Sequence, residues 1–162
     1  PASPSTFLFD SYSRTQIQKE MIHFQQAWEQ KSFKIALDCL TKILGLGIGL
    51  TPTGDDFITG LLASFSALQQ LPSNFQQLAV LAKERTNAVS YAEIHEAVNE
   101  RFSQLVQRVF LSIESGNTNE MAQAVSALEE VGSTSGSYML CGIIFGLKLF
   151  CEENNHDNSN SN

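Results

Sequence analysis

The chain is poor in positive charge. Its 162 residues include 10 Lys and Arg against 17 Asp and Glu, a formal net charge of -7. No basic stripe runs along it. Binding a phosphate backbone needs clustered Lys and Arg, so a nucleic-acid surface is excluded. Paired cysteines are lacking too. Cys39, Cys141 and Cys151 stand far apart, with no CxxC pair and no Cys/His ligand spacing. Each falls in a helical stretch and reads as a small core residue rather than a nucleophile. An odd count without a pattern suits a reducing, cytoplasmic setting. No apolar run is long enough to span a bilayer, and the start does not read as a secretory signal. The first residue is Pro rather than Met, which predicts a processed chain or the C-terminal part of a longer α+β protein.

What the chain has in quantity is helical periodicity. At 43% hydrophobic and 17% charged it is globular in composition, with enough length for one core. Residues 1–10 read as an irregular arm with a short extended piece at Phe7 to Phe9. Helices are predicted from Ser11, over Ile35–Leu44, Asp55–Leu71, Phe75–Arg85, Ser90–Glu114, Glu120–Val131 and Tyr138–Cys151. The first carries Ile17, Met21, Phe24 and Trp28 at i, i+4, i+7, i+11. The third is apolar around most of its circumference and belongs at the centre of a bundle. Thr118 or Asn119 is the expected cap of the sixth. Residues 153–162 are polar, low in complexity and read as a disordered tail. No alternating strands occur. The fold class predicted is all-α, a compact bundle of about seven helices over residues 11–152 with two glycine-rich loops at one end.

Those loops echo each other. Thr53-Gly-Asp-Asp-Phe-Ile-Thr-Gly-Leu-Leu and Ser135-Gly-Ser-Tyr-Met-Leu-Cys-Gly-Ile-Ile share a hydroxyl residue, a glycine, and a second glycine six positions on. Gly60 and Gly142 each cost about 1 kcal/mol of helix propensity relative to Ala. Close helix crossing is the expected return, and it would bring the two loops together.

The first loop, "GLGIGLTPTGDD", leads into a helix N-terminus, where unpaired N–H groups and the dipole favour anions. Gly49 to Gly54 has the outer spacing of a nucleotide P-loop, but Asp55 and Asp56 stand where Lys and a hydroxyl residue belong. An ordinary nucleotide triphosphatase is therefore excluded. Thr53 as N-cap with Asp56 at N3 forms an acidic variant of the capping box, so for Asp56 capping and chemistry weigh equally here. His95, with Glu93 and Glu96, reads as a solvated helix face.

"GLGIGLTPTGDDFITGLL" resembles the signature of the AllH-like family, formerly a domain of unknown function, whose pattern is G-x-G-P-G-L-T-P-S-G-D-D-F. Ile48 replaces its Pro and Thr53 its Ser. "VGSTSGSYMLCG" resembles the family's second motif, G-x-x-S-G-x-D, with Tyr138 in place of Asp. More loosely, "RTNAVSYAEIHEAVNERF" resembles the helix between them. The resemblance covers Gly45 to Leu149. It implies a subunit of oxamate carbamoyltransferase, which interconverts carbamoyl oxamate plus phosphate with oxamate plus carbamoyl phosphate. That enzyme serves allantoin degradation in purine catabolism and works with partner subunits.

On this reading the loops bind a small anionic or carbamoyl-bearing metabolite. Gly47, Gly49, Thr51, Thr53 and Gly54 bind substrate with Thr134, Ser135 and Gly136. Asp55 and Asp56 are the candidate catalytic pair and hold Mg²⁺ if any metal is used; no cofactor is required. Other transferase subunits are the expected partners, with a homo-oligomer also open. The alternative is a non-catalytic subunit or small-molecule binding module. A third reading leaves the loops only to cap and cross two helices.

Overall fold

The structure, a computed structural model, describes the backbone of residues 4–159 and the side chains of residues 11–152. Within them the chain forms eight α-helices and no strand: α1 (Pro4–Glu29), α2 (Phe33–Ile43), α3 (Thr53–Ala67), α4 (Gln77–Arg85), α5 (Ala88–Val98), α6 (Gln104–Ser115), α7 (Thr118–Glu129) and α8 (Ser135–Ser159). A 3₁₀ turn at Ser73–Gln76 leads into α4. No helix among the described residues is long and apolar enough to cross a membrane.

The all-α expectation holds, with corrections at element ends. An arm with an extended piece was expected at residues 1–10; α1 instead begins at Pro4. Proline suits a first helical turn, where its missing N–H is not needed. At the other end α8 continues past Cys151 to Ser159, since neither glycine nor proline follows Gly146 to stop it. Residues 1–3 and 160–162 lie outside the described residues.

The long fifth helix is two helices. Glu100 takes a left-handed φ of 60°, and Arg101 N–H reaches back to Glu96 O at 3.0 Å, a helix-ending motif. Ser103 then caps α6 by accepting from Val106 N–H at 3.3 Å. The third helix stops early in the same way, with Gln69 at φ 56° and Gln70 N–H on Phe65 O at 2.7 Å. Asn117, rather than Thr118 or Asn119, caps α7. Cys39 is a core residue as expected, but Cys141 and Cys151 are exposed.

α3 lies at the centre. Every residue from Thr53 to Phe65 is buried, because neighbours cover it on all sides. Its partner on one side is α8. A Cβ on Gly60 would stand 2.0 Å from Met139 O, and one on Gly142 2.1 Å from Phe57 O. Backbone therefore rests on backbone, as the two glycines predicted. Ser64 Oγ ties the pair further by donating to Ile143 O at 3.0 Å. Thr51 meets Ser135 at the start of both helices, and Ser64 meets Ile143 and Gly146 further along, so α3 and α8 run parallel and start at the same end. Phe24 and Trp28 of α1 also pack on α3, with Trp28 stacked on Phe65 at 4.4 Å, and Phe24 reaches Phe145 of α8 at 6.0 Å.

The loop echo is a structural repeat. α2 leads into α3 as α7 leads into α8. Leu46 N–H donates to Ile43 O, and Val131 N–H to Leu128 O. Gly54 N–H then donates to Leu46 O at 2.8 Å, and Gly136 N–H to Val131 O at 3.1 Å. A Cβ on Gly54 would lie 1.9 Å from Ile43 O, and one on Gly136 1.7 Å from Leu128 O. In both units the glycine of the second helix sits on a carbonyl in the last turn of the first.

Gly142→Ala should lower stability by about 3 kcal/mol, because a methyl group cannot enter that backbone contact without parting the helices. Gly49→Ala, with nothing within 4 Å of its Cβ, should cost only about 1–2 kcal/mol for its positive φ. Urea unfolding of the two variants compares them directly. Equal midpoints would refute the crossing.

Candidate functional site

The two glycine loops meet. Thr51 Oγ1 and Ser135 Oγ share a hydrogen bond of 2.6 Å across the start of α3 and α8. Gly45, Gly47 and Gly49 all have positive φ, which lets the first loop fold back over its own helix. A Cβ on Gly47 would be 2.4 Å from Thr53 N. The tip of the loop faces outward, with Ile48 49% and Leu50 78% exposed. No hydrogen bond among the described residues takes up the N–H groups of Gly47 to Thr51. Gly54 N–H, expected to serve a ligand, is instead committed to Leu46 O.

The capping box predicted at Thr53 does not form. Pro52 is the N-cap, its carbonyl accepts from Asp55 and Asp56 N–H, and no side chain caps the helix. Proline's φ is already suited to this position, and Thr53 becomes the first helical residue.

The adjacent aspartates part company because successive helical side chains point about 100° apart. Asp55 turns toward the linker between α4 and α5. Its Oδ1 accepts from Gly45 N–H at 2.7 Å, and its Oδ2 accepts from Thr86 Oγ1. Burial raises its pKa, and those two bonds oppose the rise. Asp55 is thus a strut between the loop and the start of α5. Asp56 faces the seam between the helices. It is 1% exposed, and neither carboxyl oxygen has a hydrogen-bond partner. Burial pushes its pKa up to about 7; the nearby Ser135 and Thr51 hydroxyls pull it down, and Glu93 and Asp55 raise it further.

Glu93 is the residue that sequence reasoning misplaced. It is half-buried rather than solvated, and burial, then Asp55, raise its pKa. The signal was present: Glu93 falls between Ser90 and Ala97, small buried residues on the same α5 face. His95 does lie on a partly exposed face, beside Glu96 at 3.3 Å. On the second loop, Thr134 is exposed, Ser135 is half-buried, and Gly136 is covered by α7. Tyr138, where the family motif has Asp, is buried, and its hydroxyl accepts from Arg14 Nε at 3.3 Å.

A divalent ion fits these residues poorly. Both Asp55 oxygens are taken, and among the described residues no group of three His, Cys, Asp or Glu converges as a metal site. One remaining carboxyl, held toward its neutral form, makes no cage.

The family model described as oxamate carbamoyltransferase subunit AllH matches residues 43–147. The chain belongs to this family. The match to AllH opens at the last residue of α2 and runs to within α8, so it takes in both glycine loops, both aspartates and the α3–α8 crossing. α1 and nearly all of α2 lie outside it. No solved structure matches the chain.

The raised pKa of Asp56 has a thermodynamic consequence. The folded chain keeps this proton up to about pH 7, whereas an unfolded aspartate loses it near 3.8. Across that window the folded state binds more protons, so its stability falls as pH rises and levels off above 7. Asp56→Asn should remove this slope, a difference on the order of 4 kcal/mol between pH 4 and pH 7. Urea midpoints at several pH values measure it. Parallel pH profiles for parent and variant would contradict the assignment.

Proposed function

We propose that the chain is a subunit of an oxamate carbamoyltransferase-type enzyme. On this reading it binds a small anionic, carbamoyl-bearing substrate at the seam between its two glycine loops. The observation that carries the proposal is Asp56, a buried carboxyl with two unpartnered oxygens beside two parallel helix starts. A buried polar group without a partner is costly, and a ligand amide would supply the missing donors. The two helix N-termini and the N–H groups of Gly47 to Thr51 favour an anion on the same ligand. A carbamoyl phosphate or an oxamate-like acid has both parts, an N–H₂ group and an oxyanion. Inorganic phosphate lacks the first.

In this arrangement Thr51 and Ser135 part from each other and donate to the ligand. Thr53, Gly54, Thr134 and Gly136 hold the loops in shape around it. Asp56 accepts hydrogen bonds from the carbamoyl N–H₂ and so orients the group for transfer. Ile48 and Leu50 offer an apolar edge to the other subunits, which share the transfer chemistry. A second reading, a binding subunit without catalysis of its own, is favoured by Tyr138. The family motif's Asp position is occupied here by a phenol bonded to Arg14.

Titration calorimetry with carbamoyl phosphate, oxamate and inorganic phosphate tests the site. Carbamoyl phosphate should bind more tightly than phosphate. Ser135→Ala and Thr51→Val should each weaken it about ten-fold, the worth of one hydrogen bond to a charged group. Asp56→Asn, which turns donors toward the ligand's own N–H₂, should weaken carbamoyl phosphate and spare phosphate. Identical binding of both ligands to parent and Asp56→Asn would sink the proposal. Turnover by the chain alone, against turnover only with other subunits, separates the catalytic reading from the binding one.

A further inference from the structure

Alongside the seam, and touching the second glycine loop only through Val131, lies a cavity of 540 Å³. Its walls come from α3, α5, α6, α7 and α8. Phe102, Val106, Leu128 and Met139 make them largely apolar, and Thr59 and Glu93 supply a polar end. Thr59 is 6% exposed, and its hydroxyl has no hydrogen-bond partner. A buried hydroxyl left unpaired beside open volume is a polar group awaiting a ligand. The one cationic side chain on the lining, Arg101, is held by Glu96 through Nε to Oε2 and through Nη2 to Oε1, the latter at 2.8 Å.

We propose that this cavity is a second ligand compartment, for a small uncharged molecule with an apolar body and a primary amide head, received by Thr59 and Glu93. The donor and acceptor count selects that head. Glu93 presents carboxyl oxygens that accept, and the unpaired Thr59 hydroxyl can donate. An amide offers the complementary pair: its N–H₂ donates to Glu93 and its C=O accepts from Thr59 Oγ1. A carboxylate head meets an acidic wall with no free cation, and its charge is lost to desolvation. The apolar walls suit a short alkyl chain. This compartment is distinct from the loop site: one takes an anion on backbone N–H groups, the other a neutral amphiphile on side chains.

Hexanamide is the probe, with hexanoate as its charged isostere, each titrated into the full chain at pH 6. Hexanamide should bind at least about ten-fold more tightly than hexanoate. Thr59→Val, which keeps the shape and removes the hydroxyl, should weaken it several-fold without lowering the melting temperature. Val106→Trp fills the cavity and should abolish hexanamide binding. If that variant unfolds, Leu105→Phe on the more open wall carries the same expectation. Thr51→Val, in the loop site, should leave hexanamide binding unchanged. Hexanamide that fails to bind, binds no better than hexanoate, or binds equally to Thr59→Val and the cavity-filled variant overturns the proposal.

Discussion

The contact between the backbones of α3 and α8 governs everything else in this molecule. Each helix carries a glycine where the other's carbonyl arrives, and the two contacts are near images of each other: Gly60 on Met139 O, Gly142 on Phe57 O. Only residues without a Cβ permit that approach. With the helices this close and parallel, their N-termini lie side by side, and so do the loops that lead into them. The Thr51–Ser135 hydrogen bond is the result. A wider crossing would separate the loops and leave Asp56 in water with an ordinary pKa.

The repeat that produces this symmetry is broken where chemistry is expected. The first loop is longer than the second, since eight positions separate Leu46 from Gly54 and five separate Val131 from Gly136. Its extra length carries the free N–H groups and the exposed Ile48 and Leu50. The matched helical position is Asp56 in one unit and Tyr138 in the other. One half presents an unpartnered acid, while the other spends its side chain on α1 through Arg14. A pseudo-symmetric frame thus holds an asymmetric site, as a ligand with two different ends requires.

Much of this was legible in the residues. Ile17, Met21, Phe24 and Trp28 announced the buried stripe of α1 by spacing alone. Gly60 and Gly142 announced the crossing because a helix keeps such residues at a cost. Asp55 and Asp56 were legible as a pair but not as separate roles, since the strut formed by Asp55 depends on Thr86, which arrives only when α4 packs against α2. The division of the long fifth helix was hidden because Glu100 adopts a left-handed conformation that its residue type does not advertise. Thr59 and Glu93 were hidden for another reason. A hydroxyl inside an apolar helix carries no pattern, the small residues beside Glu93 place it on a buried face without saying what it meets, and only the packing of α3, α5 and α6 reveals a space between them.

The stacking of Trp28 on Phe65 carries one more consequence. The chain has a single tryptophan, buried at the junction of α1 and the central helix. Its emission therefore comes from one known place. Because Phe65 lies on α3 itself, Trp28 responds to whether that helix is seated, and so to the element that bears both aspartates. The protein has its own optical gauge of the part that matters most, and no label needs to be attached.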